Sequence, residues 1–204
     1  GLIGFHLMIM YAGARQYLMP TDLFVRRALL WMKFASAKRA TLSSSPNFGY
    51  RHFLRALGDK TLEGVDLSSL RLIFNGAEPI SVELADEFMD RMAPYGLRRS
   101  AMLPVYGLAE ASLAVAFPPP GSDYKYLTVD RRSLGVGATA KLVGEGDPGA
   151  IRLMCERAGT SKAGGWTDYA SLDIALRDDL EGKAARAFAV LDPVKLKLTN
   201  WAAV

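Results

Sequence analysis

The chain has 204 residues, half of them hydrophobic, which is enough to bury the core of one large domain or of two small ones. Its formal charge of +4 comes from basic residues before Gly146 that form no run longer than a pair, so the pattern falls short of a nucleic-acid-binding stripe. The single cysteine, Cys155, excludes an internal disulfide framework and is compatible with a cytoplasmic location, and it has no zinc-binding spacing with the two histidines.

The first fourteen residues are apolar and carry no leading positive charge, so they are a poor match to a signal peptide. A segment of about fourteen residues is also too short to cross a bilayer. We therefore expect no membrane span, and the chain is expected to begin inside a structural element.

Predicted strands and helices alternate after this segment. In chain order they are a strand within 13–18, a helix over 23–37 capped by Thr21 or Asp22, a short strand and polar turn over 40–50, a helix over 51–57, a strand ending at Phe74, a helix over 82–92 capped by Ser81, a strand over 102–105, and an exposed strand or hairpin over 124–129. This alternation predicts an α/β fold with a largely parallel sheet and flanking helices.

The pattern changes beyond a glycine-rich turn at 144–149. Residues 150–158 read as a short amphipathic helix, with Ile151, Met154 and Cys155 on one side. A further helix ending at Leu180 and two short strands within 186–201 are predicted after it. We therefore divide the chain into a region 1–146 and a region 147–204.

Two apolar runs end in a glycine and a carboxylate. The first leads into Phe-Asn-Gly-Ala-Glu-Pro-Ile at 74–80, and the second into Tyr-Gly-Leu-Ala-Glu at 106–110. Glycine lets the backbone approach a ligand closely, and ligands of α/β sheets bind beyond the carboxyl ends of the strands. The sequence thus indicates a nucleotide or sugar-phosphate site. The alternative is a pair of turns in which Glu78 and Glu110 only cap the next helices.

Four segments carry a resemblance to a known family. They are Gln-Tyr-Leu-Met-Pro at 16–20, Ser-Ser-Pro-Asn-Phe-Gly-Tyr at 44–50, Arg-Leu-Ile-Phe-Asn-Gly-Ala-Glu-Pro-Ile at 71–80, and Pro-Val-Tyr-Gly-Leu-Ala-Glu-Ala-Ser at 104–112. In this order and spacing, residues 2 to about 142 resemble the fatty-acyl-AMP ligases, a branch of the adenylate-forming, AMP-binding superfamily. The resemblance implies that 1–146 is part of the N-terminal domain of an ATP-dependent ligase, which converts a long-chain fatty acid and ATP to an acyl-adenylate and pyrophosphate.

The resemblance also assigns roles in nucleotide binding. The residues that would border the adenine or pack beside the nucleotide are Gly76, Ala77, Glu78, Pro79, Tyr106 and Gly107. Glu110 would be the catalytic carboxylate that holds Mg²⁺ on the ATP phosphates, because a hard cation prefers carboxylate oxygen. Tyr106 is equally typical of a core aromatic residue, and Glu110 of a helix cap.

At the acyl end, the resemblance implies a substrate-binding segment formed by Asn47, Phe48, Gly49 and Tyr50. Phe48 and Gly49 would shape an apolar tunnel, although Phe48 is also typical of a core aromatic residue. His6 and His52 have no partner pattern for nucleophilic catalysis and are expected to be structural or exposed. An acyl carrier protein is a further partner that the family suggests.

The parts of the family pattern that handle phosphate and ribose are absent from the sequence. No segment matches the Ser/Thr/Gly-rich phosphate loop with its lysine, the ribose-binding aspartate, or the small C-terminal domain with its catalytic lysine. Stabilising the transition state at phosphorus needs several such groups at once. We therefore expect this chain to be a fragment that is inactive by itself, and a partly folded segment without activity is the plainer alternative.

The region after about residue 150 resembles a different family. The run Arg-Ala-Phe-Ala-Val-Leu-Asp-Pro-Val-Lys at 186–195 is similar to glutaminyl-tRNA synthetases. The resemblance implies that 147–204 is a partial helical linker and first strand of an anticodon-binding barrel, joined to an unrelated region near 146–150. The alternative function is a tRNA-contacting module acting through Arg177, Lys183 and Lys195. Because acidic and basic residues balance in this region, independent tRNA binding is expected to be weak.

Overall fold

The computed structural model of the chain describes residues 2–107, 117–134 and 140–155. Within those ranges, no helix combines the length and the apolar character that a bilayer crossing would need. The amino-terminal segment instead forms a short helix that begins in π geometry at Ile3–Leu7 and continues as α1, Met8–Tyr11.

The described residues contain four further α-helices and five strands, with short 3₁₀ turns between them. In chain order these elements are α2 (Thr21–Arg26), α3 (Leu30–Ala37), β1 (Leu42–Ser45), α4 (Asn47–Leu57), β2 (Leu72–Asn75), α5 (Val82–Met92), β3 (Met102–Pro104), β4 (Lys125–Asp130) and β5 (Ala150–Cys155). The 3₁₀ turns cover Ala93–Tyr95, Arg99–Ala101 and Arg131–Ser133.

Strands β1, β2 and β3 form a parallel sheet in chain order, with β2 in the middle. Because parallel neighbours need a crossover, α4 connects β1 to β2 and α5 connects β2 to β3. The two crossover helices also pack against each other. The predicted α/β fold with a parallel sheet and flanking helices is thus confirmed.

The core beside this sheet is built around aromatic rings. Phe88 of α5 is fully buried, and its ring centroid lies 4.8 Å from that of Tyr50 and 5.7 Å from that of Phe53, both on α4. Trp31 of α3 stacks on Phe88 at 6.0 Å. Edge-to-face and offset pairs of this kind add to the free energy gained from burying the rings. The three helices are therefore held together mainly by apolar contact.

Strands β4 and β5 form a second, antiparallel sheet that lies against α5, with Met154 of β5 buried in the core and charged groups beside it. The carboxylate of Asp86 on α5 accepts hydrogen bonds from Tyr124 at 2.5 Å, from Arg152 of β5 at 3.1 Å, and from Arg99. Arg152 also donates to Glu83 at 2.9 Å. We call the set Glu83, Asp86, Arg99, Tyr124 and Arg152 the α5 charge cluster.

Helix α5 matches its sequence prediction in both bounds and cap. It spans Val82–Met92, and the Ser81 hydroxyl accepts a hydrogen bond from the Leu84 N–H at 3.2 Å. Helix α4 instead begins at Asn47, directly after Pro46 and four residues before the predicted start. The single helix predicted over 23–37 is two helices, because Arg27 leaves helical conformation with φ −140° and ψ 59°. The predicted Thr21 or Asp22 cap is absent among the hydrogen bonds at that end of α2.

Two other sequence predictions are wrong. Residues 14–20 form no strand. The helix predicted over 150–158 is wrong where the structure describes it, because Ala150–Cys155 form β5, which pairs along its whole length with β4. This pairing joins residues from both sides of the boundary placed at 146/147, and the nature of 147–204 stays a prediction since 156–204 lie outside the described residues.

Candidate functional site

The two glycine motifs come together because they follow neighbouring parallel strands. Asn75 ends β2 opposite Pro104 of β3, and the Val105 N–H donates to the Asn75 carbonyl at 2.8 Å. A Cβ atom added to Gly76 would lie 2.6 Å from the Val105 carbonyl oxygen. Glycine is therefore required here by the close approach of the two strand ends. The segments 76–79 and 106–107 therefore begin next to each other, at the carboxyl edge of the sheet.

The loop after β2 has an unusual backbone. Ala77 has φ 69°, in the left-handed region that L-residues other than glycine, asparagine and aspartate seldom adopt. Ala77 and Pro79 are exposed, whereas Gly76 and Glu78 are half-buried. This part of the candidate site thus presents backbone and small side chains at the surface.

The side chain of Glu78 binds a helix, although not the helix that follows it. Its Oε1 accepts a hydrogen bond from the Phe48 N–H at 3.2 Å, in the first turn of α4. A carboxylate at a helix N-terminus satisfies a free N–H and complements the helix dipole. Glu78 therefore ties the loop after β2 to the segment 47–50, so the two predicted halves of the site are joined.

The segment 47–50 divides between the surface and the core. Asn47, Gly49 and Tyr50 are buried, and a Cβ atom on Gly49 would collide with the Ser45 side chain. The Tyr50 hydroxyl donates to the Phe74 carbonyl at 2.8 Å, and burial raises the pKa of this phenol well above its usual value, so it remains a donor. Phe48 differs, since 59% of it is exposed and its ring stacks on His52 with centroids 5.7 Å apart. Phe48 is therefore not a core aromatic.

Phe48 lies at the margin of an open groove of about 800 Å³ that follows β1. The aromatic rings that line this groove are Phe5, Tyr17, Phe24, Trp31, Phe34 and Phe48. Polar groups include Ser43, Ser44 and Ser45 of β1, and the positively charged residues of the lining are Arg15, Lys38 and Arg39. Of the segment 46–50, Pro46 and Phe48 line the groove. Its mixed lining suits a ligand with an apolar chain and some polar character.

Asn75 is a buried polar residue that the sequence analysis left without a role. It is fully buried, and its Nδ2 donates to Asn47 Oδ1 at 3.3 Å. Among the described residues, its Oδ1 has no hydrogen-bond partner. The sequence signal for this residue is an asparagine at the end of an otherwise apolar strand, Leu-Ile-Phe-Asn. A buried amide needs hydrogen-bond partners, and the sequence alone does not reveal which residues these are.

Of the remaining predicted site residues, the structure describes Tyr106 and Gly107 but not Glu110. Tyr106 is half-buried and Gly107 exposed, both just beyond Val105. Glu110 lies outside the described residues, so its predicted role in binding Mg²⁺ stays a prediction. Across 2–107, 117–134 and 140–155, no three His, Cys, Asp or Glu side chains cluster as a metal site would require. His6 bonds Gln16 at 2.7 Å and His52 bonds the Val25 carbonyl at 2.8 Å, which agrees with structural roles.

Comparison with known proteins gives relatives for most of the chain. A 4-hydroxyphenylalkanoate adenylyltransferase of Mycobacterium marinum is 38% identical over 139 residues, which are 68% of this chain and 22% of that protein. The medium-chain-fatty-acid–[acyl-carrier-protein] ligase JamA of Moorena producens is 37% identical over 134 residues, covering 66% of this chain and 23% of that protein. The chain therefore spans less than a quarter of the length of these relatives.

Solved structures of similar proteins also match this chain. The fatty acyl-adenylate ligase from L. pneumophila, in complex with acyl adenylate and pyrophosphate, superposes with a TM-score of 0.72 at 36% identity. The match covers 77% of this chain and 27% of that one.

None of these relatives supports the resemblance of 150–204 to glutaminyl-tRNA synthetases, which stays a prediction. The AMP-binding enzyme family, by contrast, matches residues 1–150, which include both strand-end motifs and both crossover helices. Because this match covers more than half of the chain, the chain belongs to the AMP-binding enzyme family.

Proposed function

We propose that this chain supplies the adenylate-facing edge of a fatty-acyl-AMP ligase, which joins a fatty acid to ATP. In that reaction a carboxylate oxygen of the fatty acid attacks the α-phosphorus of ATP. The bond from that phosphorus to the oxygen bridging the α- and β-phosphates breaks, and pyrophosphate leaves. The proposal is supported above all by the close approach of Gly76 to Val105, the residue before Tyr106, at the ends of neighbouring parallel strands.

The described residues fit the base of a nucleotide. The backbone of 76–79 offers amide and carbonyl groups at the surface, and half-buried Tyr106, at the end of the neighbouring strand, would offer an aromatic face. The buried Asn75 Oδ1, which has no partner among the described residues, leaves an acceptor just beneath this loop. In our proposal the loop and Tyr106 hold the adenine.

We assign the acyl chain to the groove that follows β1. Phe48 is exposed on the groove along β1, and the Glu78–Phe48 hydrogen bond connects that position to the nucleotide loop. The relatives are named for a medium-chain fatty acid and for a 4-hydroxyphenylalkanoate, which are both carboxylic acids with an apolar body. We therefore propose a long-chain fatty acid as substrate and an acyl carrier protein as acceptor.

Mg²⁺ completes the proposal through Glu110. When bound, the ion would neutralise charge on the ATP phosphates. Since the sequence offers no phosphate loop and no catalytic lysine, we expect this chain by itself to bind ligand without turnover.

Binding can be measured by isothermal titration calorimetry with dodecanoyl sulfamoyl adenosine, a stable mimic of an acyl-adenylate. We expect saturable binding that Tyr106→Ala weakens by about tenfold, because stacking of a base on an aromatic ring contributes roughly 1–3 kcal/mol. The matched control is Tyr11→Ala, since Tyr11 is 96% exposed and lies far along the chain from the loop. No binding by the unmodified chain, or equal loss in both variants, contradicts the proposal.

Catalysis is tested separately by pyrophosphate release with ATP, Mg²⁺ and dodecanoic acid. We expect no turnover by this chain. Turnover that Glu110→Ala abolishes would show that the chain is active by itself and that Glu110 is the essential carboxylate.

A further inference from the structure

The side chain of Asn47 is engaged entirely with the loop after β2. Its Nδ2 donates to the Pro79 carbonyl, and its Oδ1 accepts from the Ser81 N–H at 3.3 Å and from Asn75 Nδ2 at 3.3 Å. These partners stand at the start, the middle and the end of the loop. One amide therefore sets the distance between the last residue of β2 and the cap of α5.

The loop is anchored at its end, where Ile80 is buried in the core and Ser81 forms a β-bridge with Leu153, but the backbone of its middle is in an unfavourable conformation. Ala77 lies in a strained region of backbone space, with φ 69°. Glu78 turns away from the sheet edge to bind the Phe48 N–H at 3.2 Å. The side chains of Asn47 and Glu78 thus both tie the middle of the loop to the first turn of α4.

Burial makes the Asn47 contacts consequential. Asn47 is 7% exposed and Asn75 is not exposed at all, so water cannot readily replace a lost partner. A buried donor or acceptor left without a partner is strongly destabilising in its immediate surroundings.

From these contacts we propose that Asn47 is a positioning residue: it fixes the backbone of 76–79 in the shape that receives the adenine and does not itself contact the ligand. The part concerning adenine rests on the proposed function. The part concerning the loop rests only on the hydrogen bonds and the burial.

The loop part is tested by hydrogen–deuterium exchange of the full 204-residue chain without ligand, comparing Asn47→Ala with the unmodified protein. We expect exchange in the peptide covering 75–83 to accelerate by about tenfold, because the Ser81 N–H loses its acceptor. Exchange of the middle of α5, at Phe88 and Met89, should change much less. The matched control is Arg51→Ala, an exposed position on the same helix, which should leave both regions unchanged.

The ligand part is tested with dodecanoyl sulfamoyl adenosine on the same variants. Asn47→Ala should weaken binding by about tenfold. Asn47→Asp keeps an acceptor for Ser81 and Asn75 but places a buried carboxylate oxygen against the Pro79 carbonyl, so its exchange and its affinity should be impaired at least as much as those of Asn47→Ala. Parallel movement of the two quantities is the signature of positioning.

Three outcomes overturn the inference. Weaker binding with unchanged exchange at 75–83 would make Asn47 a ligand contact. Equal acceleration across α5 would make it a general stabiliser of the fold. Unchanged exchange and unchanged binding would leave it no role in the loop. If the unmodified chain does not bind the mimic, the proposed function fails, while the exchange result still decides whether Asn47 holds the loop.

Discussion

The two faces of helix α5 are attached to their neighbours by different forces. One face presents Phe88 to the aromatic core, where it is fully buried against Tyr50 and Phe53. The other face presents Asp86 to Arg152 of β5, to Tyr124 just before β4, and to Arg99 in the 3₁₀ turn before β3. Apolar burial is insensitive to pH and responds little to moderate salt, whereas ion pairs near the surface respond to both. The contact of α5 with the aromatic core should therefore resist changes of pH and salt, whereas its ion pairs should weaken with them.

The charge on Asp86 explains why the second contact depends on pH. Burial disfavours the ionised carboxylate, but hydrogen bonds from Tyr124 and Arg99 and the positive charges of Arg99 and Arg152 outweigh it, so the pKa of Asp86 lies below its usual 3.8. A carboxylate with a lowered pKa stabilises the folded state above its unfolded value. That contribution is fully present above about pH 4 and is lost as the pH falls through the folded pKa.

The largest effect is expected on the apolar face. Phe88→Ala should lower the free energy of unfolding by about 3–5 kcal/mol, because it removes a buried ring and leaves a cavity. Urea unfolding measures the loss, which should be the same at pH 7 and pH 5. The matched control is Phe48→Ala, since Phe48 is 59% exposed and should lose less than about 1 kcal/mol. Similar losses in the two variants would erase the distinction between core and surface rings.

An intermediate effect is expected in the α5 charge cluster. Asp86→Asn should lower the free energy of unfolding by about 1–2 kcal/mol at pH 7, since the half-buried carboxylate loses its charge while Arg99 and Arg152 remain. Below pH 3.8 the difference between the variant and the unmodified protein should shrink, because Asp86 itself becomes protonated.

Asp90→Asn is the matched control for this prediction. Asp90 also faces Arg99, at 3.7 Å, but its side chain is 77% exposed, and a loss below about 0.5 kcal/mol is expected. A difference between Asp86→Asn and the unmodified protein that stays constant from pH 7 to pH 2 would refute the electrostatic account of this face.

The smallest change in the free energy of unfolding is expected at the N-terminal cap of α5. Ser81→Ala removes the acceptor for the Leu84 N–H and should cost about 1 kcal/mol, independent of salt. Thermal unfolding at low and high salt provides the measurement. Ser44→Ala, on an exposed position of β1, should be nearly neutral. A salt-dependent loss at Ser81 would assign this cap to the electrostatic face instead.

The sequence predicts an element of the fold well when the residues that stabilise this element lie close to it along the chain. The bounds of α5 follow from a cap within the helix's own first turn, Ser81. The start of α4 could not be predicted in this way, because Glu78, which binds the first turn of α4, is thirty residues away along the chain. The Ser-Pro-Asn-Phe-Gly composition is also typical of a turn.

The same reasoning covers β5 and the site. Six residues, Ala150–Cys155, are too few for periodicity to separate a helix from a strand, and pairing with β4 decides the outcome. That 76–79 and 106–107 begin at the same edge of the sheet was predictable, because parallel neighbours place their carboxyl ends together. The Asn47–Asn75 contact was not, since it joins two elements whose side-chain directions only the packed fold defines.

The backbone of Ala77 has a consequence for how the loop after β2 behaves in time. Holding an alanine at φ 69° raises the energy of the folded loop by roughly 1–2 kcal/mol relative to a glycine, yet alanine has far fewer other conformations to visit. Glycine at this position would relax the strain and widen the range of shapes that the loop samples. Alanine keeps that range narrow, so the sheet edge offers an approaching molecule nearly the same surface at every encounter.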